Sequence, residues 1–180
     1  ANTPAVIALD IVLSEAEKNP ITSLDKELLN MNKKLPNWLG ELKNELDADT
    51  IFSQTIKDKE VVLGYPFHKN LMSHSGKLPE TAVSSDIKNI EFLTAINMRG
   101  YSANLNKFTD NVAGSGFFSI SPDRDGNVRR APIVAIYHDQ VYPSLALEAA
   151  RIYLLEETIK LHTETIGQAK TLTHISLGEK

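Results

Sequence analysis

The densest group of chemically capable side chains lies in the run SPDRDGNVRR. There Asp123 and Asp125 precede Gly126, and two arginines, Arg129 and Arg130, follow. Carboxylates two residues apart before a glycine resemble the opening of an EF-hand calcium loop, which also needs a bidentate glutamate at its twelfth position. With Ser121 at the first position, the twelfth falls on Pro132, so the calcium reading fails. The spacing instead predicts a turn whose aspartates accept hydrogen bonds from nearby amides. If a strand follows the turn, Arg129 and Arg130 point to opposite faces. The inward one then needs a carboxylate, with Asp10, Asp123, Asp125 and Glu148 as candidates, and a structural salt bridge is preferred to a clamp for a ligand anion.

Signatures of catalysis are missing from the sequence. It has no P-loop, no G-x-S-x-G elbow, no H-E-x-x-H and no dinucleotide fingerprint. Gly114-Ser115-Gly116 lacks the glycine two residues before the serine and reads as a backbone turn. His68, His74, His138, His162 and His174 are scattered without metal-ligand spacing. With no cysteine there is no disulfide framework, thiolate zinc site or cysteine nucleophile. No cofactor or metal is expected. The net charge of -4, from 19 basic and 23 acidic residues, offers no field for a polyanion, so nucleic acid is not an expected partner.

The elements that must position these residues follow from a globular composition, 42% hydrophobic and 23% charged over 180 residues, which suits one domain. No apolar run approaches the ~20 residues of a membrane span. Residues 5–13 read as a strand buried on both faces, with Asp10 as a strand-end carboxylate. Leu24, Leu28 and Met31 share one face of a helix that Pro36 stops, and Trp38, Leu42 and Leu46 repeat the spacing, so residues 14–47 read as packing elements or a peripheral insertion. Asp49 caps a third helix with Phe52 and Ile56 inward, and residues 60–65 form a buried strand ended by Pro66. Strand, helical crossover and strand favour parallel pairing.

Residues 68–89 read as a long surface loop, 90–98 as a short strand or helix, and 101–114 as turn-rich. An antiparallel hairpin is expected near 116–137, with strands 116–120 and 128–137 around a turn at 121–127, and Pro132 at an edge, bulge or strand start. Another turn falls at 138–142. Ser144 caps a helix over 145–158 that is apolar except for a strip of Glu148 and Arg151, the pattern of a sandwiched helix. The fold class is therefore α/β: a layered domain with a central mixed sheet flanked by helices. A strand starts at Leu172, and the short lead-in before residue 5 together with the strand at the other end suggests a piece excised from a longer protein.

Residues 116–153, GFFSISPDRDGNVRRAPIVAIYHDQVYPSLALEAARIY, closely resemble the second type of CHASE domain, the cyclase- and histidine-kinase-associated sensory extracellular domains of bacterial receptors. The resemblance rests on Gly116-Phe117, the P-D-x-D-G turn at 122–126, V-R-R-x-P at 128–132 and Tyr142-Pro143-Ser144-Leu145-Ala146. Residues 5–13 and 49–67 agree more loosely, and 14–47 have no counterpart. The resemblance implies a periplasmic or extracellular input module between transmembrane helices, coupled to a cytoplasmic cyclase, diguanylate cyclase or kinase. The implied partners are an unidentified small-molecule or protein signal, the receptor's own membrane helices and output domain, and a second copy in a homodimer. Asp10, Asp123, Asp125, Gly126, Arg129, Arg130, Tyr142 and Ser144 are the ligand-binding or structural motif residues, with loops 68–89 and 101–115 as the moving or ligand-contacting parts. Two rivals stand beside it: a hydrolase- or transferase-type α/β enzyme with an unrecognised site, and a ligand-free dimerisation module.

Overall fold

The computed structural model describes residues 3–84, 90, 93–120 and 123–178. Strand β1 (Ile7–Leu9) runs parallel to β2 (Val61–Tyr65), with Ile7 opposite Val61 and Leu9 opposite Leu63. Parallel neighbours cannot be joined by a tight turn. Here helices α1 (Pro20–Asn30), α2 (Asn37–Glu45) and α3 (Ala48–Ile56) make the crossing. On its other side β2 pairs in parallel with β7 (Gly114–Phe117), which gives the order β1-β2-β7. All of β2 is buried, as its VVLGY run anticipates. The expectation that the first strand is buried on both faces fails. β1 lies at the sheet edge, spans only three residues, leaves Ile7 42% exposed, and is followed by an exposed Asp10.

Pro36 does not stop α1. That helix ends in a Schellman turn, in which Lys33 N–H donates to the Leu28 carbonyl (2.8 Å), Asn32 N–H donates to Leu29 (3.0 Å), and Asn32 takes a positive φ of 57°. Pro36 instead caps the start of α2. Leu24, Met31, Trp38 and Leu46 are exposed, so the shared helical faces of 14–47 form a peripheral insertion and not part of the core. The cap of α3 is Asp47, whose side chain accepts from Thr50 N (2.9 Å). Asp49, the expected cap, lies inside the helix and accepts from Glu17 N (2.9 Å) and Lys107 Nζ (3.2 Å). Ile56 and Phe52 do face inward, with Phe52 edge-on to Phe108 at 5.7 Å.

The hairpin expected near 116–137 is not formed. The first of its strands joins β2, and the second shortens to β8 (Val134–Tyr137), which pairs antiparallel with β9 (Gln140–Pro143) and parallel with β5 (Ile96–Asn97). Pro132 lies just before β8, where a missing donor costs no ladder bond. The expected turn at 138–142 is a two-residue tip at His138 and Asp139, and β9 begins at once. Short strands β3 (Phe67–His68), β4 (His74–Ser75) and β6 (Gly100–Ser102) form a third group in the order β3-β6-β4, and α4 (Asn106–Thr109) follows. Part of the supposed loop 68–89 is thus strand. Its residues 85–89, residues 91 and 92 of the 90–98 segment, and residues 121 and 122 of the expected turn lie outside the described residues.

Helix α5 (Leu145–Tyr153) begins with Ser144 Oγ accepting from Leu147 N, as expected, but ends before residue 158. The chain then forms β10 (Ile159–Ile166), antiparallel to β11 (Ala169–Leu177). The mixed α/β class stands, with parallel and antiparallel pairing in layers, divided among four small sheets among the described residues. At its centre Phe67 meets Tyr65, Phe117, Tyr137 and Tyr142, with ring centroids 5.3, 5.7, 5.6 and 5.4 Å away. Burial, then Tyr142 and Glu148, push the Tyr65 phenol well above its ordinary pKa, and its hydroxyl has no hydrogen-bond partner among the described residues.

Two comparisons test this packing. A Cβ at Gly116 would sit 2.6 Å from Leu145 Cα, backbone against backbone, whereas Gly40 in α2 has nothing within 4 Å. Gly116→Ala is expected to destabilise the protein by about 1–3 kcal/mol or more, and Gly40→Ala to stabilise it by about 0.5–1 kcal/mol, both read from urea midpoints. Tyr65→Phe removes an unpaired buried hydroxyl, so it should leave stability unchanged or raise it by up to about 1 kcal/mol. A loss above that in the same assay would mean the hydroxyl is satisfied.

Candidate functional site

The polar strip of α5 points into the molecule. Glu148 is 3% exposed, while Tyr153, Leu154 and Leu155 at the helix end are open to solvent. Glutamate and arginine three apart on a helix are neighbours. Arg151 closes a two-pronged bond on Glu148, Nη2 to Oε1 at 2.6 Å and Nε to Oε2 at 3.0 Å. Its remaining nitrogen, Nη1, donates to the Glu156 carbonyl at 2.6 Å. The guanidinium thus joins the helix to the chain that leads into β10.

This pair forms one wall of a cleft of about 400 Å³, lined also by Lys77, Glu80, Thr81, Asp110 and residues 112–115. Gly114 is required there, because a Cβ on it would collide with Glu148 Oε1. Lys77 and Asp110 face each other at 3.6 Å on the exposed rim. Thr81 Oγ1 is committed to the fold, donating to the Val141 carbonyl (2.6 Å) and accepting from Val83 N (3.1 Å). Three carboxylates and two cations therefore share the cleft. Each nitrogen of Arg151 holds a protein acceptor, yet two of its five N–H groups, one on each terminal nitrogen, are left over, so a ligand anion could meet the guanidinium without displacing Glu148, while an ammonium or hydroxyl group could use the lone pairs that Glu148, Asp110 and Glu80 retain.

Apart from Glu148, the residues singled out in the sequence for a salt bridge or motif lie elsewhere. Asp123 and Asp125 meet Arg129 and Arg130 on the surface. Arg129 takes both oxygens of Asp125 at 2.9 and 2.7 Å and reaches Asp123 at 3.2 Å, and Arg130 reaches the other oxygen of Asp123 at 3.2 Å. Arg129, and after it Asn127, hold the Asp125 carboxyl well below the usual carboxylate range. Gly126 takes φ +81°, and its N–H donates to the Asp123 carbonyl at 2.9 Å to close the turn. The expectation of one inward arginine is overturned. Residues 127–133 are not strand, so the two side chains need not alternate, and both are exposed, Arg130 to 85%. Tyr142 donates to Gln140 Oε1 at 2.7 Å, Ser144 caps α5, and Asp10 stands apart at the end of β1.

Of the four carboxylates considered as arginine partners, Glu148 is the one in the cleft. Lys77 lies in loop 68–89 and Asp110 and Ser115 in 101–115, the stretches expected to contact a ligand, but none is singled out as a site residue by its sequence, and Arg151 stands there only as part of the polar strip, although an acid and a base three apart in an apolar helix are a usable signal. A second, apolar groove of about 390 Å³ runs between Ala8, Phe118, Ile120, Ile133 and the first turn of α5. His162 and His174 stack across β10 and β11 at 4.1 Å, but no group of three or more metal-ligating side chains occurs among the described residues.

Removing Arg151 strands a buried carboxylate, so Arg151→Met is expected to cost about 3–5 kcal/mol, and Glu148→Gln/Arg151→Met less than the sum of its single changes, measured as a double-mutant cycle in urea. Arg130→Ala should leave the melting temperature unchanged. A marked fall would mean that the exposed pair carries more than its geometry indicates.

Comparison with curated proteins and with solved structures gives no match. Comparison with family models matches residues 1–178 to the CHASE2 domain, running through the 14–47 insertion for which the sequence reading had no counterpart. The chain belongs to the CHASE2 domain family, whose members are sensory extracellular modules of membrane receptors.

Proposed function

We propose that this chain is a single sensory domain on the periplasmic or extracellular face of the bacterial inner membrane. It binds a small polar ligand in the cleft beside α5, performs no reaction, and passes occupancy to a cytoplasmic cyclase, diguanylate cyclase or kinase. The observation that carries the reading is the buried Glu148–Arg151 pair, which faces the cleft on one side and holds the Glu156 carbonyl on the other. The Glu156 carboxylate lies in turn against Gly178, just past the end of β11. A ligand that rearranges the pair therefore acts on the connection between α5 and the C-terminal hairpin. Signalling requires different affinity for two arrangements, since equal binding shifts nothing.

A thermal-shift screen with amino acids, polyamines, dicarboxylates and sugars tests this. A compound at a hundred times its Kd adds about 2.7 kcal/mol, roughly 5–11 °C for a chain of this size. One class is expected to raise the melting temperature, and the rim substitution that opposes its charge, Asp110→Lys for an ammonium-bearing class or Lys77→Glu for an anionic one, to abolish the response without changing the unliganded value. No response to any class, or one that survives the opposing substitution, would remove the cleft from the proposal.

A ligand-free dimerisation module is the second reading, favoured by the exposed edge of β1 and the apolar groove that includes Ala8. Light scattering that reports a dimer, together with silence in the thermal screen, would favour it.

A further inference from the structure

We infer that the turn between α1 and α2 docks on a bilayer surface containing anionic phospholipid. Residues 14–47 are held to α3 at their base, where Glu17 Oε2 accepts from Ala48 N (2.7 Å) and Asp49 Oδ2 accepts from Glu17 N (2.9 Å), while Asn19 Nδ2 ties α1 to α2 by donating to the Lys43 carbonyl (3.2 Å). Away from that base the burial ends. Ile21 is the one buried residue of α1. Leu29, Met31 and Trp38 are 59%, 66% and 64% exposed around the turn. These three apolar side chains need a partner that the rest of the described fold does not supply.

Charge selects the partner. No acidic residue lies between Glu27 and Glu41, and the turn carries Lys33 and Lys34, a positive spot on a chain whose net charge is -4. Both lysines are exposed. Lysine is depleted where protein surfaces meet, so a second copy of this chain is the poorer fit. Tryptophan at the headgroup level, flanked by apolar side chains and by lysines that attract anionic headgroups, is the composition of a membrane-interface contact. Members of the family are extracellular modules of membrane receptors, which places a bilayer within reach. The docking concerns a surface apart from the cleft, so its failure and the failure of the ligand reading are separable.

Trp38 is the only tryptophan, so tryptophan emission, excited at wavelengths the five tyrosines do not absorb, reports this turn alone. With the whole chain, vesicles of mixed phosphatidylglycerol and phosphatidylcholine are expected to shift the emission to the blue, pure phosphatidylcholine vesicles to leave it unchanged, and high salt to reverse the shift. Lys33→Glu/Lys34→Glu, with both positions exposed, should lower vesicle affinity by at least about tenfold with an unchanged melting temperature. Emission unmoved by the anionic vesicles would overturn the inference, as would an equal shift with neutral vesicles or in the charge-reversed protein. A blue shift that grows with protein concentration in the absence of lipid would also overturn it, in favour of contact between copies.

Discussion

Burying a carboxylate under a helix is costly unless a cation of matching shape meets it there, and the placement of α5 is organised around that requirement. Glu148 and Arg151 satisfy each other at 2.6 and 3.0 Å on the inward side of the helix. For them to do so α5 must lie very close to β7, and residues 114 and 116, two apart on a strand, point to the same face. Both are glycine. One leaves room for the Glu148 carboxylate and the other for the backbone of Leu145. The Gly-Ser-Gly triplet, unconvincing as a nucleophile elbow, is thus the seat of the helix. The same closeness brings the cleft against the sheet, with Ser115 and Gly114 in its wall.

Local rules carried the sequence reading where the structure is local. β2, the crossover to it, the Ser144 cap and the turn closed by Gly126 all follow from patterns a few residues wide. The reading failed where a partner is distant. β7 was matched with the nearest strand-like segment downstream, yet it pairs with β2, Gly114 opposite Val62, and nothing in either segment announces that separation. Strand 128–137 was drawn too long for the same reason. Among the described residues, 127–133 hold no strand, and Arg129 turns to Asp123 and Asp125 while Arg130 turns to Asp123. β10 was readable in principle, since IKLHTETI alternates, but a helix extended to residue 158 concealed its start.

The cleft was less legible than the fold because its walls come from separated stretches. Lys77 and Glu80 lie beyond β4, Asp110 follows α4, Ser115 is on β7, and Glu148 and Arg151 are on α5. Apart from the α5 pair, no two of these stand at a spacing that suggests chemistry. The charged turn, by contrast, advertises itself in five carboxylate and guanidinium groups within eight residues, and the structure gives four of them to one another at the surface. Dense charge in a short stretch is well suited to self-satisfaction, and a group that is satisfied locally has little left for a ligand.

Arg151 is the point at which the cleft, α5 and the chain leading into β10 meet. Each of its three nitrogens holds a protein acceptor, two on Glu148 and one on Glu156. Two of its five N–H groups, one on each terminal nitrogen, are left over, so a ligand anion could add to the guanidinium without releasing Glu148, whose loss would leave a buried charge unpaired. A ligand that donates instead, through an ammonium or hydroxyl group, can add to the Glu148 carboxylate while the pair survives. In either case the arginine would stay bound to the Glu156 carbonyl, and the link between α5 and the chain leading into β10 would be kept. A change passed toward β11 would therefore require that a ligand move the Glu148–Arg151 pair, since equal binding to both arrangements shifts nothing.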